Sequence, residues 1–197
     1  MKIVLRARLT ELERFLANRQ SSDFSYLSQG MTARPECPAG YNSDHNRVFL
    51  GHGVEAFEAA KRALNSWKMF DLGWVNVFPC HAPVHTGSTV AIVVRIFGAD
   101  FLNACRIVYV VDESDSDIRR YGFAYGTLQD HAEMGEERFV IEWNRDDESV
   151  FYDLRAISRP RLFFPALFYP FTRALQRRFA RDSLKAMSRA SERRLDP

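Results

Sequence analysis

The sequence predicts a single two-layer α+β domain, a curved seven-stranded antiparallel sheet wrapped on a long C-terminal helix. Three observations carry that expectation. Short stretches rich in β-branched and aromatic residues follow one another from residue 72 to residue 158. An amphipathic helix of five or more turns comes last, with Phe171, Leu175 and Phe179 recurring every four residues and Leu184 and Met187 continuing the stripe after a slip. A chain of 197 residues is also long enough to bury one core without covalent staples. A sheet with one apolar face needs a cover, and the last helix supplies it.

The elements follow in order. Thr10 and Glu13 have the spacing of a capping box, which predicts a short helix over 12–19. Gly30, Pro35, Pro38 and Gly40 make 21–41 an irregular, extended lead-in. A short strand is expected at 46–51. The helix at 54–67 places Phe57, Ala60, Ala63, Leu64 and Trp67 on one side. Strands are then expected at 72–78, 89–97, 103–111, 120–128, 136–143 and 150–158. Pro160, Pro165 and Pro170 precede or open the final helix, because proline is not tolerated within one. The organisation read from this is an N-terminal extension with a short helix (1–22), one domain (23–190) and a basic tail (191–197).

Composition narrows the function classes. Cys37, Cys80 and Cys105 are odd in number and match no CxxC spacing, which argues against a disulfide framework and for a reducing, cytoplasmic setting. The start, MKIVLRARLTELERF, does not read as a secretory signal, and no stretch has the apolar length of a spanning helix. The net charge of +2 conceals an asymmetry, with ten basic and three acidic residues from Arg159 onward. No GxGxxG, P-loop, HExxH or GxSxG motif is present. Cys80, His81 and His85 offer metal-ligand types, but Pro79 and Pro83 prevent a helix from aligning them, so neither a metal nor another cofactor is expected. No nucleic-acid partner is expected either.

The run 122–139, GFAYGTLQDHAEMGEERF, is the densest in chemistry. Pairing Leu128 with Glu136 sets Thr127 opposite Glu137, Tyr125 opposite Phe139, Phe123 opposite Ile141 and Tyr121 opposite Trp143. One face is then an aromatic ladder, which should point inward. The other carries Gly122, Ala124 and Gly126 against Glu142, Val140 and Arg138. Val150, Tyr152, Leu154 and Ala156 would lie beside the ladder. Glu137 is expected inward at its rim and Glu136 outward. A carboxylate on an apolar face must sit at an edge, be paired or be protonated. His131, Thr127 and Arg138 are the candidate partners, with Asp130 and Glu133 adding acceptors.

These residues carry a resemblance. Pro38-Ala39-Gly40-Tyr41, Leu50-Gly51-His52-Gly53, Arg106-Ile107-Val108-Tyr109-Val110, Tyr125-Gly126-Thr127-Leu128, His131, Gly135-Glu136-Glu137, Phe139 and Ser158-Arg159-Pro160 together resemble the family called domain of unknown function 1990, over roughly residues 24–187. That family is similar in architecture to the START and Bet v 1-like superfamily. The resemblance, like the order of elements, implies a helix-grip fold, often with a cavity between sheet and helix. It implies no particular reaction.

The expected function is binding of a small hydrophobic molecule between sheet and C-terminal helix, with Tyr121, Phe123, Tyr125, Thr127, His131, Glu137, Phe139 and Trp143 as binding residues. One alternative is an enzyme acting on a hydrophobic molecule, with His131 and Glu137 as general acid and base. Another is a membrane-surface or interaction module using the aromatic run from Phe163 to Phe171, FFPALFYPF, and the basic helix beyond it.

Overall fold

The computed structural model describes residues 2–129, 131–161 and 169–192. The chain runs β1 (Lys2–Val4), α1 (Leu9–Ala17), β2 (Asn42–His52), α2 (Gly53–Asn65), β3 (Val75–Phe78), β4 (Thr89–Ile96), β5 (Ala99–Ser114), β6 (Ile118–Thr127), β7 (Glu133–Asn144), β8 (Ser149–Pro160) and α3 (Tyr169–Glu192). The sheet is antiparallel with strand order β2-β8-β7-β6-β5-β4-β3. This is the curved seven-stranded half-barrel that the sequence predicts. Register shifts at Phe49/Gly51 and Ile107/Tyr109 add an extra residue to β2 and β5, a device that bends a strand and increases its twist.

The N-terminus departs from expectation in two ways. Lys2–Val4 form a short further strand on Asp100–Leu102 of β5, beyond the point where β6 pairs with it. Three residues are too few to show a period. The first helix also starts earlier than the Thr10–Glu13 spacing suggests. Glu11, not Glu13, closes the cap by accepting the Arg8 backbone N–H at 3.1 Å.

α2 and α3 pack on the concave face and against each other. At one end of that face, Phe57, Leu64, Trp67 and Phe70 meet Phe123, Phe139, Ile141 and Tyr152. The Trp67 and Phe123 ring centroids lie 4.8 Å apart, and those of Phe70 and Phe139 lie 5.5 Å apart. Phe179 of α3 completes the stack at 5.3 Å from Phe70. Met187 is fully buried, so the apolar stripe of α3 does face the sheet.

The convex face is covered as well. Phe15 and Leu16 of α1 pack on Ala91, Val93, Leu102, Ala104 and Leu128. Residues 22–35 then cross β6, β7 and β8 as a strap. Phe24 bridges Leu128, and Tyr26 and Met31 pack against Ile157. Arg106 ties the strap through the carbonyls of Arg19, Gln20 and Ser22, and Arg155 through those of Arg34 and Pro35. Gly126 makes this approach possible, since a Cβ there would meet the Tyr26 hydroxyl at 2.0 Å.

Candidate ligand-binding cavity

The β6–β7 pairing keeps the predicted faces but slides by two residues. Tyr125 opposes Glu137, Phe123 opposes Phe139 and Tyr121 opposes Ile141. Alternation fixes only the parity of a register, so a slide of two leaves every side chain on its face. The connecting loop sets the slide, and it is shorter than the sequence suggested because β7 already starts at Glu133. On β8, Ala156 lies opposite Glu137 and Leu154 opposite Phe139, as expected.

A cavity of about 630 Å³ lies between the sheet and α3. Its apolar walls include Ile92 and Val94 of β4, Phe101 of β5, Leu154 of β8, and Leu175, Phe179 and Leu184 of α3. Phe70 and Trp74 line it as well. Of the eight residues expected to bind, Tyr125, Thr127, His131 and Glu137 line this space. The other four are packed at the end covered by α2. Phe123 and Phe139 are fully buried there. The Tyr121 hydroxyl donates to Asn65 Oδ1 at 2.8 Å, and the Trp143 ring lies 5.9 Å from Phe57. The ladder therefore divides into a filled half and a hollow half.

Polar groups gather at the β6–β7 end of the hollow half. Tyr125 donates its hydroxyl hydrogen to Glu137 Oε2 at 2.6 Å. Burial raises the Glu137 carboxyl to about 7, against the opposing effect of the Tyr125 bond and with help from the Glu133 and Asp44 carboxylates. Burial, then the neighbouring Glu137, pushes the Tyr125 phenol well above its ordinary value. Gln176 of α3 donates to Glu133 Oε2 at 2.6 Å and to Ser158 Oγ at 3.1 Å. Burial also raises Glu133, while the bonds from Gln176 and Ser158 act the other way. Arg173 grips Asp44 with two bonds of 2.6 and 2.7 Å.

His131 and Thr127 serve the hairpin. The Glu133 backbone N–H donates to His131 Nδ1 at 3.0 Å, which leaves the ring proton on Nε2. Burial above all depresses His131 to about 3, so the imidazole is neutral near pH 7. No hydrogen bond joins it to Glu137 among the described residues. The Thr127 hydroxyl accepts the Gly135 N–H at 3.0 Å and contacts Ser25 Oγ at 2.6 Å.

Two neighbouring acids have opposite environments. Glu136 faces the convex side as expected, yet it is buried because the strap covers it. It accepts from the Tyr26 hydroxyl, Gly30 N, Thr32 N and the Thr32 hydroxyl. Arg138, one of the candidate partners of Glu137, lies on that convex side and bonds Asp153 at 3.0 Å. Among the described residues no cluster of three or more His, Cys, Asp or Glu side chains is arranged to hold a metal. None of the described helices is long and apolar enough to cross a membrane. Most of the aromatic run 163–171, like Asp130, falls outside the described residues. Phe171 stacks on the exposed Phe97 at 6.0 Å beside the cavity.

Asp44, Ser158, Arg173 and Gln176 were not anticipated at the site, whereas Glu133, expected as a loop acceptor, stands at the start of β7. Asp44 lies in NSDH, too polar to be read as strand, and Arg173 looked like one of several surface cations on α3. Only their meeting across β2, β7, β8 and α3 gives them a role.

A curled antiparallel sheet holding a C-terminal helix over a cavity defines a helix-grip protein of the Bet v 1-like fold. The fold is similar to that of a hypothetical protein from Helicobacter pylori (TM-score 0.53, 13% identity, covering 77% of this chain and 88% of that one). It is also similar to the Zhui aromatase/cyclase from Streptomyces sp. R1128 (TM-score 0.51, 16% identity, 79% and 96%). The chain belongs to the family Domain of unknown function (DUF1990), which matches residues 25–186. Relatives include UPF0548 proteins of Dictyostelium discoideum (35% identical, covering 92% of this chain and 91% of the relative) and Deinococcus radiodurans (35%, 90% and 92%).

Proposed function

We propose that this protein binds a small hydrophobic molecule in the cavity between the sheet and α3, with the polar end of the molecule against Glu137 and Tyr125. The observation that carries this reading is an apolar space of about 630 Å³ ending on one carboxyl–phenol pair. That is the usual composition of a small-molecule site, with mostly apolar walls and a few convergent polar groups. A carboxyl left in such a wall without a ligand is costly, which argues that its placement serves binding. Native mass spectrometry and solvent extraction of the purified protein test the reading. An apolar ligand should co-purify, and Val94→Phe, which fills the cavity, should lose it while the protein stays folded. A Val94→Phe protein that retains the same ligand would place that ligand elsewhere and overturn the reading.

A second reading is favoured by one specific value. A carboxyl raised to about 7 is poised to take or give a proton near neutral pH, so Glu137 could act on the bound molecule as acid or base with Tyr125 beside it. His131 is better suited to shaping the loop, because its neutral ring already uses Nδ1 to accept the Glu133 N–H. The aromatase/cyclase of similar fold makes cyclisation one reaction class to try. Full activity of Glu137→Gln in a genetic complementation assay would sink this second reading.

A further inference from the structure

The polar end of the cavity is unusual in its charge balance. Three carboxyl groups, Asp44 from β2 with Glu133 and Glu137 from β7, meet there with one guanidinium, that of Arg173. Arg173 already holds Asp44 through both terminal nitrogens. Arg177 and Arg181 also border the cavity, and both are exposed. Glu133 has the Gln176 amide, whereas among the described residues Glu137 has only the Tyr125 hydroxyl, on Oε2. No hydrogen bond from the described residues reaches Glu137 Oε1. The strands behind contribute Cys105 and Tyr152, both neutral groups held above their ordinary range by burial.

We propose that this end of the cavity selects a hydrophobic molecule bearing a basic nitrogen, a cationic amine, over one ending in a carboxylate. The inference rests on the cavity-binding reading above. An ammonium can donate to Glu137 Oε1 and gains from each of the surrounding carboxylates. A ligand carboxylate placed against Glu137 instead meets the like charge of Glu133 and Asp44. Among the described residues no guanidinium bonds Glu137: Arg173 is held by Asp44, and Arg161, whose buried Nη1 has no hydrogen-bond partner, lies toward His131. Like charges brought together in a site from which water is excluded are strongly disfavoured, and a charge-assisted bond there is correspondingly strong. Amine binding also has a proton signature. A cation beside Glu137 favours its ionised form, so the proton held by a carboxyl at about 7 is released as the amine docks.

The test uses the full chain and a matched set of probes, phenylbutylamine, phenylbutanol and phenylbutyrate, titrated calorimetrically at pH about 7 in two buffers of different ionisation enthalpy. The amine should bind at least about tenfold tighter than the carboxylate, the difference expected of one charge-assisted bond. Each amine bound should release about half a proton, since a group titrating at about 7 is half protonated there. Glu137→Gln should weaken the amine about tenfold and the alcohol by no more than about threefold. Carboxylate binding as tight as the amine overturns the inference and leaves the cavity reading standing. Amine binding without proton release also overturns it, and this measurement on the unaltered chain decides the matter should Glu137→Gln fail to fold. If none of the three binds and no ligand co-purifies, the cavity reading itself fails.

Discussion

Tyr125 and Glu137 face each other directly across the β6–β7 pair, and the phenol donates to the carboxylate at 2.6 Å at the polar end of a mostly apolar cavity. Two groups that cost free energy to bury are therefore placed together where the sheet turns hollow. The consequences are measurable without knowing the ligand.

The first concerns a loss of stability as the pH rises toward neutrality. Glu137 titrates at about 7 in the folded chain and near 4.5 when unfolded. Between those values the folded state binds the extra proton, so stability falls as pH rises from about 4.5 to 7 and levels off above. Glu137→Gln should remove that slope and raise stability at neutral pH by at most about 3 kcal/mol. Urea unfolding at a series of pH values checks this, and an unchanged slope in the variant would refute the assignment.

His131 should act in the opposite sense. Its folded value of about 3 lies below the ordinary 6.5, so the unfolded chain takes up the proton first as pH falls. Stability present above pH 6.5 is lost progressively down to about 3, by at most about 5 kcal/mol. His131→Asn, which can still accept the Glu133 N–H, should flatten that acid limb. Between about 4.5 and 6.5 the two groups oppose each other, and only the single variants reveal the separate slopes. The same urea series, extended to lower pH, reads both.

Glu136 is expected to behave as a structural acid. Its two oxygens satisfy four donors from the strap. Glu136→Gln replaces one acceptor oxygen with a donor and should cost about 2–3 kcal/mol, while Tyr26→Phe removes a single bond and should cost about 1 kcal/mol. Thermal or urea unfolding compares the two. Equal, negligible costs would show that the strap contributes little to the fold.

Gly126→Ala tests the strap from below. The added Cβ would displace the Tyr26 hydroxyl and crowd Phe24. The expected result is cleavage by trypsin or chymotrypsin within residues 19–34 under conditions where the unaltered chain resists. Resistance equal to that of the parent would mean that Tyr26 moves without loosening the segment.

The fold was legible because its signals are local and repeated. β4 through β8 each announce themselves by β-branched and aromatic residues, and Leu175, Phe179, Leu184 and Met187 mark the buried side of α3. β2 was only partly visible, since Asn42–His45 is polar and owes its extended form to pairing with β8. β1 was invisible for the same reason on a smaller scale.

The candidate site divides along the same line. Alternation alone put Tyr125, Thr127 and Glu137 on the inward face and Glu136 and Arg138 on the other, because side chains in a strand have only two directions to take. Which inward residues meet a hollow and which meet a helix was beyond its reach, since that depends on where α2 ends and how α3 crosses. The two-residue slide of β7, the strap that buries Glu136, and the meeting of Asp44, Glu133, Arg173 and Gln176 were all decided by tertiary structure. Each joins residues far apart in the chain, and no local period encodes such a meeting. The sequence by itself determined a helix-grip sheet with an inward carboxylate. Packing decided that this carboxylate would end a cavity, hold a phenol and titrate near neutrality.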